Sequence, residues 1–293
     1  MAGKGIFDAP HPISQYRIDS EQAQYETEHY ADKEDRKRAK AVRRTARKAR
    51  KSANENAADR LGHLLEYAVR GEGPPNSLAS YGHVQEARGR IIPDIWRLHD
   101  KYVAEHGPGS VRTATVARQS WEISPSELSG FPPSRVLNRL RADLYRCGAA
   151  QASGAAIVGI HGEYEPRTGI LRIHVHMILF GDMVEPVRRL RDLAGYRPLV
   201  RSHYDVEKRT PAIRISDKPL TNLPAPLSYI LQPFWPSRWE GVIDGKWKRQ
   251  GQKARIQGSA HTRVLLWLDR WELKDIVLLM GIRMGKYGLV LTH

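Results

Sequence analysis

The stretch from Ile157 to Gly181, IVGIHGEYEPRTGILRIHVHMILFG, constrains the fold of this chain more than any other. Two apolar arms flank the segment Pro166–Gly169, which contains residues that favour tight turns. The pattern predicts a β-hairpin, in which successive side chains point to opposite faces of the sheet.

A two-residue loop at Thr168-Gly169 would place Glu163 opposite His174 and His161 opposite His176. One face of the hairpin then carries polar side chains: His161, Glu163, Glu165, Arg172, His174 and His176. The other face is largely apolar and consists of Ile160, Tyr164, Leu171, Ile173, Val175, Met177 and Leu179. Because a slip of one residue would mix the two sets, this sorting favours the predicted register.

The composition favours a polyanionic partner. The chain has 293 residues and a net charge of +15, which suits nucleic acid or an anionic surface. No apolar run is long enough to span a membrane, and the first residues lack the apolar core of a signal peptide. The single cysteine, Cys147, excludes an internal disulfide and a cysteine-rich zinc site. We therefore expect a cytoplasmic protein with no membrane partner.

The most basic segment, Arg36–Lys51, contains no acidic residue. Its cations are Arg36, Lys37, Arg38, Lys40, Arg43, Arg44, Arg47, Lys48, Arg50 and Lys51. Frequent alanine and the absence of Gly and Pro favour a helix. We interpret it as a phosphate-binding arm whose affinity falls steeply with salt, with Arg43, Arg44, Arg47 and Lys48 as DNA contacts. The alternative is a solvated charged helix or a disordered arm.

The order of the remaining elements predicts an α+β fold. Val111–Val116 alternates and is rich in β-branched residues, as in a strand, and Ser134–Cys147 has the apolar stripe of a helix that covers the core face of the hairpin. We expect a central antiparallel sheet with the His-x-His hairpin, helices on its faces, and a helical, basic N-terminal extension. The predicted segments are 1–107 for this extension, 108–240 for the main domain and 241–293 for a C-terminal extension.

The last third of the chain combines tryptophans with cations. Asn222–Gln232 is a predicted short helix that presents Tyr229, and Asp269 and Glu272 predict the start of a helix to Met280. The residues between them suit stacking and tracking of a single strand: Trp235, Arg238, Trp239, Lys246, Lys248 and Arg249. Alternatively, these tryptophans anchor the C-terminal region to the core.

Two histidines at positions i and i+2 of a strand point the same way and can share one cation. His174 and His176, with Glu163 on the neighbouring strand, form an open set of three ligands that leaves room for water and a phosphate oxygen. Such a set suits a divalent metal, Mg²⁺ or Mn²⁺. His161 is the alternative third ligand, or it orients the site or contacts DNA. Incidental histidines on an exposed strand are the competing interpretation.

The sequence IHVHMILFG, a His-hydrophobic-His pair followed by an apolar strand, resembles the signature of the HUH endonuclease superfamily. That superfamily comprises rolling-circle replication initiators, conjugative relaxases and single-tyrosine transposases. Glu163 resembles the strand-end Glu that precedes the histidine pair in plasmid-type initiators, and Tyr229 resembles the catalytic tyrosine of a later helix. Val111–Val116 resembles the strand that opens the nuclease domain, so the resemblance covers residues 108–240.

The chain departs from the family at Gln232, where a Lys commonly follows the tyrosine by three residues. No second tyrosine lies one turn from Tyr229, and no P-loop pattern occurs, so DNA unwinding would need a partner such as a host helicase.

The resemblance implies an endonuclease that nicks and joins single-stranded DNA at a specific origin and initiates rolling-circle replication, as on a plasmid. A divalent metal on His174, His176 and Glu163 would polarise the scissile phosphate, with Arg172 among the DNA contacts. Tyr229 would attack and give a covalent 5′-phosphotyrosine and a free 3′-OH.

Three alternatives remain open from the sequence. A transposase or relaxase of the same superfamily would share the chemistry. A non-catalytic DNA-binding protein would use the basic residues and aromatics alone. A cupin-like metal enzyme would use His203 as a later ligand, but the helical pattern before residue 150 argues against it.

Overall fold

The structure, a computed structural model, describes residues 27–48, 53–67, 76–203, 205–286 and 288–292. These residues form two compact units. Unit 1 consists of the described parts of Met1–Arg97, Asn222–Phe234 and Gln257–Leu273, and unit 2 of the described parts of Leu98–Thr221, Trp235–Ile256 and Lys274–His293. Both units are discontinuous in sequence and differ from the three consecutive segments predicted above.

The helices of the described residues are α1 (Glu28–Lys48), α2 (Ala53–Tyr67), α3 (Tyr81–His106), α4 (Ser134–Arg146), α5 (Val184–Arg189), α6 (Ala225–Ser228), α7 (Gly258–Leu268) and α8 (Leu273–Ile276). Short 3-10 turns lie at Glu127–Gly130, Leu190–Asp192 and Ala194–Tyr196. In the part of the chain that the structure describes, no helix is both long enough and apolar enough to cross a membrane.

The strands are β1 (Val111–Ile123), β2 (Gly154–Glu165), β3 (Ile170–Gly181), β4 (Leu199–His203), β5 (Val206–Thr210), β6 (Ile213–Ile215), β7 (Pro236–Ser237), β8 (Glu240–Ile243), β9 (Lys246–Arg249), β10 (Ala254–Arg255), β11 (Val277–Met280), β12 (Ile282–Gly285) and β13 (Gly288–Leu291).

Unit 1 is built around α1, whose apolar face is buried. Ala31, Ala39, Val42 and Ala46 on this face are each at most 4% exposed. The buried carboxylate of Asp35 accepts hydrogen bonds from the Tyr81 amide (2.6 Å) and the Ser80 hydroxyl (2.7 Å). It thereby satisfies donors at the start of α3, which a helix leaves without intrahelical partners. The described part of the basic segment, up to Lys48, is therefore part of a packed helix.

Unit 2 contains a seven-stranded sheet in the order β10-β7-β2-β3-β1-β6, with β11 also paired to β2. Strands β2 and β7 run parallel, at Tyr164 and Ser237, whereas the other pairs of this sheet are antiparallel. The fold is α+β with a mixed central sheet, so the prediction of a purely antiparallel sheet is wrong at this one pairing.

The β2–β3 hairpin closes with a four-residue turn rather than the predicted two-residue loop. Glu165 pairs with Ile170, and the Glu165 carboxylate accepts hydrogen bonds from the Thr168 amide (2.7 Å) and hydroxyl (2.6 Å). The register is consequently shifted by two residues, and His161, not Glu163, lies opposite His174. Because the shift is even, every side chain keeps its predicted face.

The apolar face of the hairpin is buried, as predicted. Leu171, Ile173, Val175, Met177 and Leu179 are each at most 1% exposed. Helix α4 is tied to β1 through Asp143, which is 1% exposed and accepts hydrogen bonds from Arg118 Nη1 (3.1 Å) and from the Tyr196 hydroxyl (3.0 Å).

Two local predictions near the C-terminus are wrong. The predicted helix to Met280 is instead the strand β11, which pairs with β2 from Val277 opposite Gly159 to Met280 opposite Ala156. The predicted helix at Asn222–Gln232 shortens to α6. Asp269 does not start a helix to Met280; its carboxylate accepts hydrogen bonds from Ser77 (2.7 Å) and Arg60, which are distant in sequence.

Candidate active site

Three histidine side chains converge on the polar face of the β2–β3 hairpin. The ring centroids of His161 and His176 lie 4.6 Å apart, those of His174 and His176 5.0 Å, and those of His161 and His174 6.0 Å. Since a metal–nitrogen bond is about 2 Å long, the centroids of two rings on one ion lie within roughly 6 Å of each other. The spacing of all three rings is therefore compatible with a shared cation.

The inner ring nitrogen of each histidine on β3 is already engaged. Nδ1 of His174 lies 3.1 Å from the carbonyl oxygen of Arg172, which can only accept, so this nitrogen carries the proton and Nε2 has the lone pair. Nδ1 of His176 lies 3.1 Å from the hydroxyl of Thr115, its cross-strand partner on β1. The carbonyl contact fixes the tautomer of His174, whereas the hydroxyl of Thr115 can donate or accept and only orients the ring of His176.

Both histidines are kept neutral by their surroundings. Burial lowers the pKa of His176 to about 3, and the positive charges of His174 and Lys253 act in the same direction. Burial also lowers the pKa of His174, which the hydrogen bond to Arg172 and the charge of Glu163 oppose. At neutral pH the two rings therefore offer lone pairs rather than positive charges.

Glu163, the predicted third ligand, is occupied by arginines. Its carboxylate forms ion pairs with Arg249 and, at 3.6 Å, with Arg238, and the residue is 8% exposed. In the sheet it lies opposite Arg172 rather than opposite a histidine. Within the described residues, no group of three or more His, Cys, Asp or Glu side chains is arranged to hold a metal ion as it stands.

A network of charges centred on the buried carboxylate of Glu240 continues along this face. Glu240 binds Arg172 (3.1 Å), Arg201 (3.1 Å) and Arg249 (3.1 Å), and Arg201 also binds Glu122 (3.1 Å). Arg172 and Arg249, both predicted DNA contacts, are thus held by carboxylates of the same unit.

The tryptophans that follow residue 234 are placed differently from one another. Trp235 is 6% exposed, and a Cβ atom on Gly162 would lie 2.3 Å from its ring, so Trp235 packs against the backbone of β2. The ring of Trp239 is covered by the guanidinium of Arg167, 4.1 Å from its centroid. Trp235 therefore anchors its segment to the core, as in the alternative interpretation of the tryptophans.

His203 has partners on both ring nitrogens, away from the three histidines. The Val242 amide donates to its Nδ1 (3.1 Å), and Arg167 lies 3.1 Å from its Nε2. The Val242 hydrogen bond engages the lone pair on Nδ1, and the Arg167 guanidinium lies against Nε2, so both ring nitrogens face donors of the protein rather than the metal role that the cupin-like alternative required.

The predicted nucleophile, Tyr229, belongs to unit 1, whereas the three histidines belong to unit 2. Tyr229 follows α6 directly and is 41% exposed, between the buried side chains of Leu227 and Ile230. Its hydroxyl-bearing ring is therefore presented to solvent by a segment whose neighbouring residues are fixed in the core of unit 1.

Two buried arginines hold the backbone of this segment. Arg88 of α3 donates to the carbonyl oxygens of Ser228 (3.1 Å) and Leu231 (2.7 Å), one on each side of Tyr229. Arg38 of α1 donates to the carbonyl oxygens of Ala79 (2.7 Å) and Pro233. The two arginines are 6% and 2% exposed, so these are buried, charge-assisted hydrogen bonds.

The remaining predicted DNA contacts are mostly at the surface. Arg44, Arg47, Lys246 and Lys248 are exposed, and Lys248 pairs loosely with Asp244 (3.4 Å). Arg43 is bound to Glu66 and His63 of α2. The side chain of Lys48, and residues 50 and 51, lie outside the described part of the chain.

Sequence reasoning missed Thr115, Glu240 and the positioning role of Arg88. Thr115 could have been found, because it alternates with Thr113 on a strand predicted from VRTATV. Arg88 and Glu240 carried no local signal. The partners of Arg88 lie at least 140 residues away, and two of the three partners of Glu240, Arg172 and Arg201, lie at least 39 residues away.

No protein-family profile, curated protein or solved structure matches this chain.

Proposed function

We propose that this chain is a metal-dependent endonuclease that nicks and rejoins single-stranded DNA through a covalent phosphotyrosine. The observation that carries the proposal is the convergence of three imidazoles, His161, His174 and His176, on one face of the β2–β3 hairpin. The same face carries cations that suit a phosphate.

The donor set fits a divalent metal held by His161, His174 and His176. Two of the rings are neutral. Nε2 would be the ligand atom of His174, and also of His176 when the Thr115 hydroxyl accepts the hydrogen bond from Nδ1. Imidazole nitrogens favour a transition ion, so Mn²⁺ is the stronger candidate and Mg²⁺ the weaker. When bound, the metal would act as a Lewis acid toward a phosphate oxygen.

With His161 as the third ligand, Glu163 takes a different role from the one predicted. Its carboxylate holds Arg238 and Arg249 on the histidine face. Arginines fixed in this way can donate hydrogen bonds to a phosphate oxygen without first losing side-chain entropy. They would position DNA and balance the charge that develops on the phosphate.

Tyr229 supplies the nucleophile in this proposal. Its oxygen forms a bond to phosphorus while the bond from phosphorus to the 3′ oxygen breaks. The phenol proton is released to solvent and the departing 3′ oxygen takes up a proton, so a 5′-phosphotyrosine and a free 3′-OH result. The reverse attack by a 3′-OH rejoins the strand because the energy of the phosphodiester is retained in the adduct.

The biological role that we propose is initiation of rolling-circle replication, as on a plasmid, at a specific single-stranded origin. No P-loop pattern occurs in the sequence, so a host helicase would supply unwinding. A transposase or relaxase would use the same chemistry at a different DNA end.

The test uses the full chain and a random-sequence library of single-stranded oligonucleotides, labelled at either the 5′ or the 3′ end. Incubation with Mn²⁺ or with EDTA is followed by denaturing electrophoresis. We expect a protein–DNA adduct with Mn²⁺ that carries the 3′ label, because the 5′-phosphate side stays on the tyrosine. Sequencing of the adducts would give the target site.

Two variants assign the roles. Tyr229→Phe should abolish the adduct, whereas Tyr145→Phe, at another exposed tyrosine, should leave it unchanged. His174→Ala should abolish Mn²⁺-dependent cleavage. Tight, salt-dependent binding without any adduct from the library would instead support a non-catalytic DNA-binding protein.

A further inference from the structure

Helix α1 has a continuous basic ridge on its exposed face. Six exposed cations form it: Lys33, Arg36, Lys37, Lys40, Arg44 and Arg47. At 100° per residue, they fall within an arc of about 100° on the helix and extend over about 21 Å of its axis. No acidic residue of α1 falls in this arc. Glu34 and Asp35 are buried, and Glu28 and Asp32 lie about 80° and 40° outside the edge of the arc.

The ridge is fixed in place by the opposite face of the helix. Ala31, Ala39, Val42 and Ala46 are buried, Asp35 binds the start of α3, and Thr45 lies 2.9 Å from Thr262 of α7. The cations are therefore presented by a rigid element of unit 1, and binding would not have to order the backbone first.

The charges of the ridge are largely uncompensated. Lys37 pairs with Glu34 at 2.7 Å. Among the residues that the structure describes, Lys33, Arg36, Lys40, Arg44 and Arg47 have no carboxylate within ion-pair distance. Five like charges so close together repel one another, and an anionic partner would relieve this repulsion.

We propose that the α1 ridge binds the sugar-phosphate backbone of duplex DNA, independently of sequence. The Cβ atoms of residues three or four positions apart lie about 5 to 6 Å from each other on a helix, so the flexible ends of these side chains can reach several phosphates of one strand. A straight, rigid row of charges suits the stiff backbone of a duplex. The choice of DNA over RNA rests on the proposed function.

Two other polyanions fit the ridge less well. Single-stranded nucleic acid is bound by aromatic platforms as well as cations, and the ridge contains no aromatic residue. A membrane-surface helix inserts its apolar face into the lipid, but the apolar face of α1 is buried within unit 1.

The experiment measures binding of the full chain to a labelled 24-base-pair duplex of arbitrary sequence, in EDTA and over a series of salt concentrations. A four-site variant, Arg36→Gln, Lys40→Gln, Arg44→Gln and Arg47→Gln, removes four charges from the ridge. The matched control removes four exposed charges from other elements, through Lys101→Gln, Arg141→Gln, Arg197→Gln and Lys218→Gln.

We expect the ridge variant to lose duplex affinity on the order of 10- to 100-fold at 0.1 M salt, with a salt slope shallower by about 3 to 4. The control should change affinity by less than about 3-fold, and both variants should keep the thermal midpoint because every substituted side chain is exposed.

Equal losses in the two variants, or no loss in the ridge variant, would overturn the proposal. A greater effect of the ridge variant on oligo-dT, on an RNA duplex or on phosphatidylserine vesicles than on the DNA duplex would also overturn it. Since the assay contains EDTA and scores no adduct, its failure is distinct from failure of the proposed nuclease activity.

Discussion

The hydroxyl of Thr115 lies 3.1 Å from Nδ1 of His176, and the two residues are direct cross-strand partners in β1 and β3. A partner at Nδ1 orients a ligating imidazole, and its loss typically costs about 10- to 100-fold in metal affinity. Thr115→Val, which keeps the shape of the side chain, should therefore weaken Mn²⁺ binding by about this factor in calorimetric titration. Thr113→Val is the matched control on the same face, opposite Ile178, and should bind as the parent does.

The identity of the third ligand can be settled by two substitutions on β2. His161→Ala should weaken Mn²⁺ binding by more than about 10-fold, because it removes a donor nitrogen. Glu163→Gln should leave Mn²⁺ binding within a few-fold, since this carboxylate binds Arg238 and Arg249. If Glu163→Gln weakened Mn²⁺ binding more than His161→Ala did, Glu163 would be the ligand.

The pKa of His176 makes the stability of unit 2 depend on pH. The folded pKa is about 3, below the ordinary value of 6.5, so the unfolded chain binds a proton between these values and the folded chain does not. Stability therefore falls as the pH is lowered from about 6.5 toward 3, and this residue alone removes about 2 kcal/mol at pH 5.

His176→Gln should remove this share of the pH dependence. Urea unfolding of the parent and the variant at pH 7.5 and pH 5 measures the difference. If the free energy of unfolding falls by the same amount between pH 7.5 and pH 5 in both proteins, His176 does not titrate as stated.

Arg88 should act on Tyr229 through the backbone. Its hydrogen bonds to Ser228 and Leu231 are buried, so Arg88→Met, which keeps the apolar stem, should lower the free energy of unfolding of unit 1 by about 2 to 4 kcal/mol. Amide exchange of Ile230 and Leu231 should accelerate more than that of α1. Arg90→Met, at a half-buried position of the same helix with one loose ion pair to Glu86 (3.8 Å), is the control and should change stability by less than about 1 kcal/mol.

The contact between Gly162 and Trp235 predicts a strong steric effect. A Cβ atom at position 162 would lie 2.3 Å from the indole ring, so Gly162→Ala should destabilise unit 2 by about 1 to 3 kcal/mol through overpacking. Gly251→Ala, where a Cβ would meet nothing within 4 Å, is the control. If urea unfolding shows the same stability for Gly162→Ala and the parent, the ring of Trp235 can move away from position 162.

Much of the hairpin could be predicted from local sequence. Alternation of side chains sorted His161, Glu163, His174 and His176 onto one face, and this sorting survives any even change in register. The class of fold also followed from pattern, because apolar periodicity distinguishes strands such as Val111–Val116 from helices such as α4.

The predictions that differ from the structure do so for one physical reason: the residues involved contact partners that are remote in sequence. Capping residues favoured a helix to Met280, but Val277–Met280 gains more by completing the edge of β2. The basic segment Arg36–Lys51 is interpreted from its sequence as a phosphate-binding arm, and that interpretation does not include the close packing of Ala39, Val42 and Ala46 within unit 1. The composition of that segment predicts its charge, but it does not predict which of its cations remain exposed after α1 packs.

By itself, the sequence determined which side chains share a face, because strand and helix periodicities are local properties of the backbone. The tertiary structure alone decided which of them meet. The Glu165 side chain stabilised a four-residue turn that set His161 opposite His174, and β9 brought Arg249 to Glu163 across 86 residues. Registers and ion pairs of this kind depend on turn geometry and long-range packing, which no local pattern encodes.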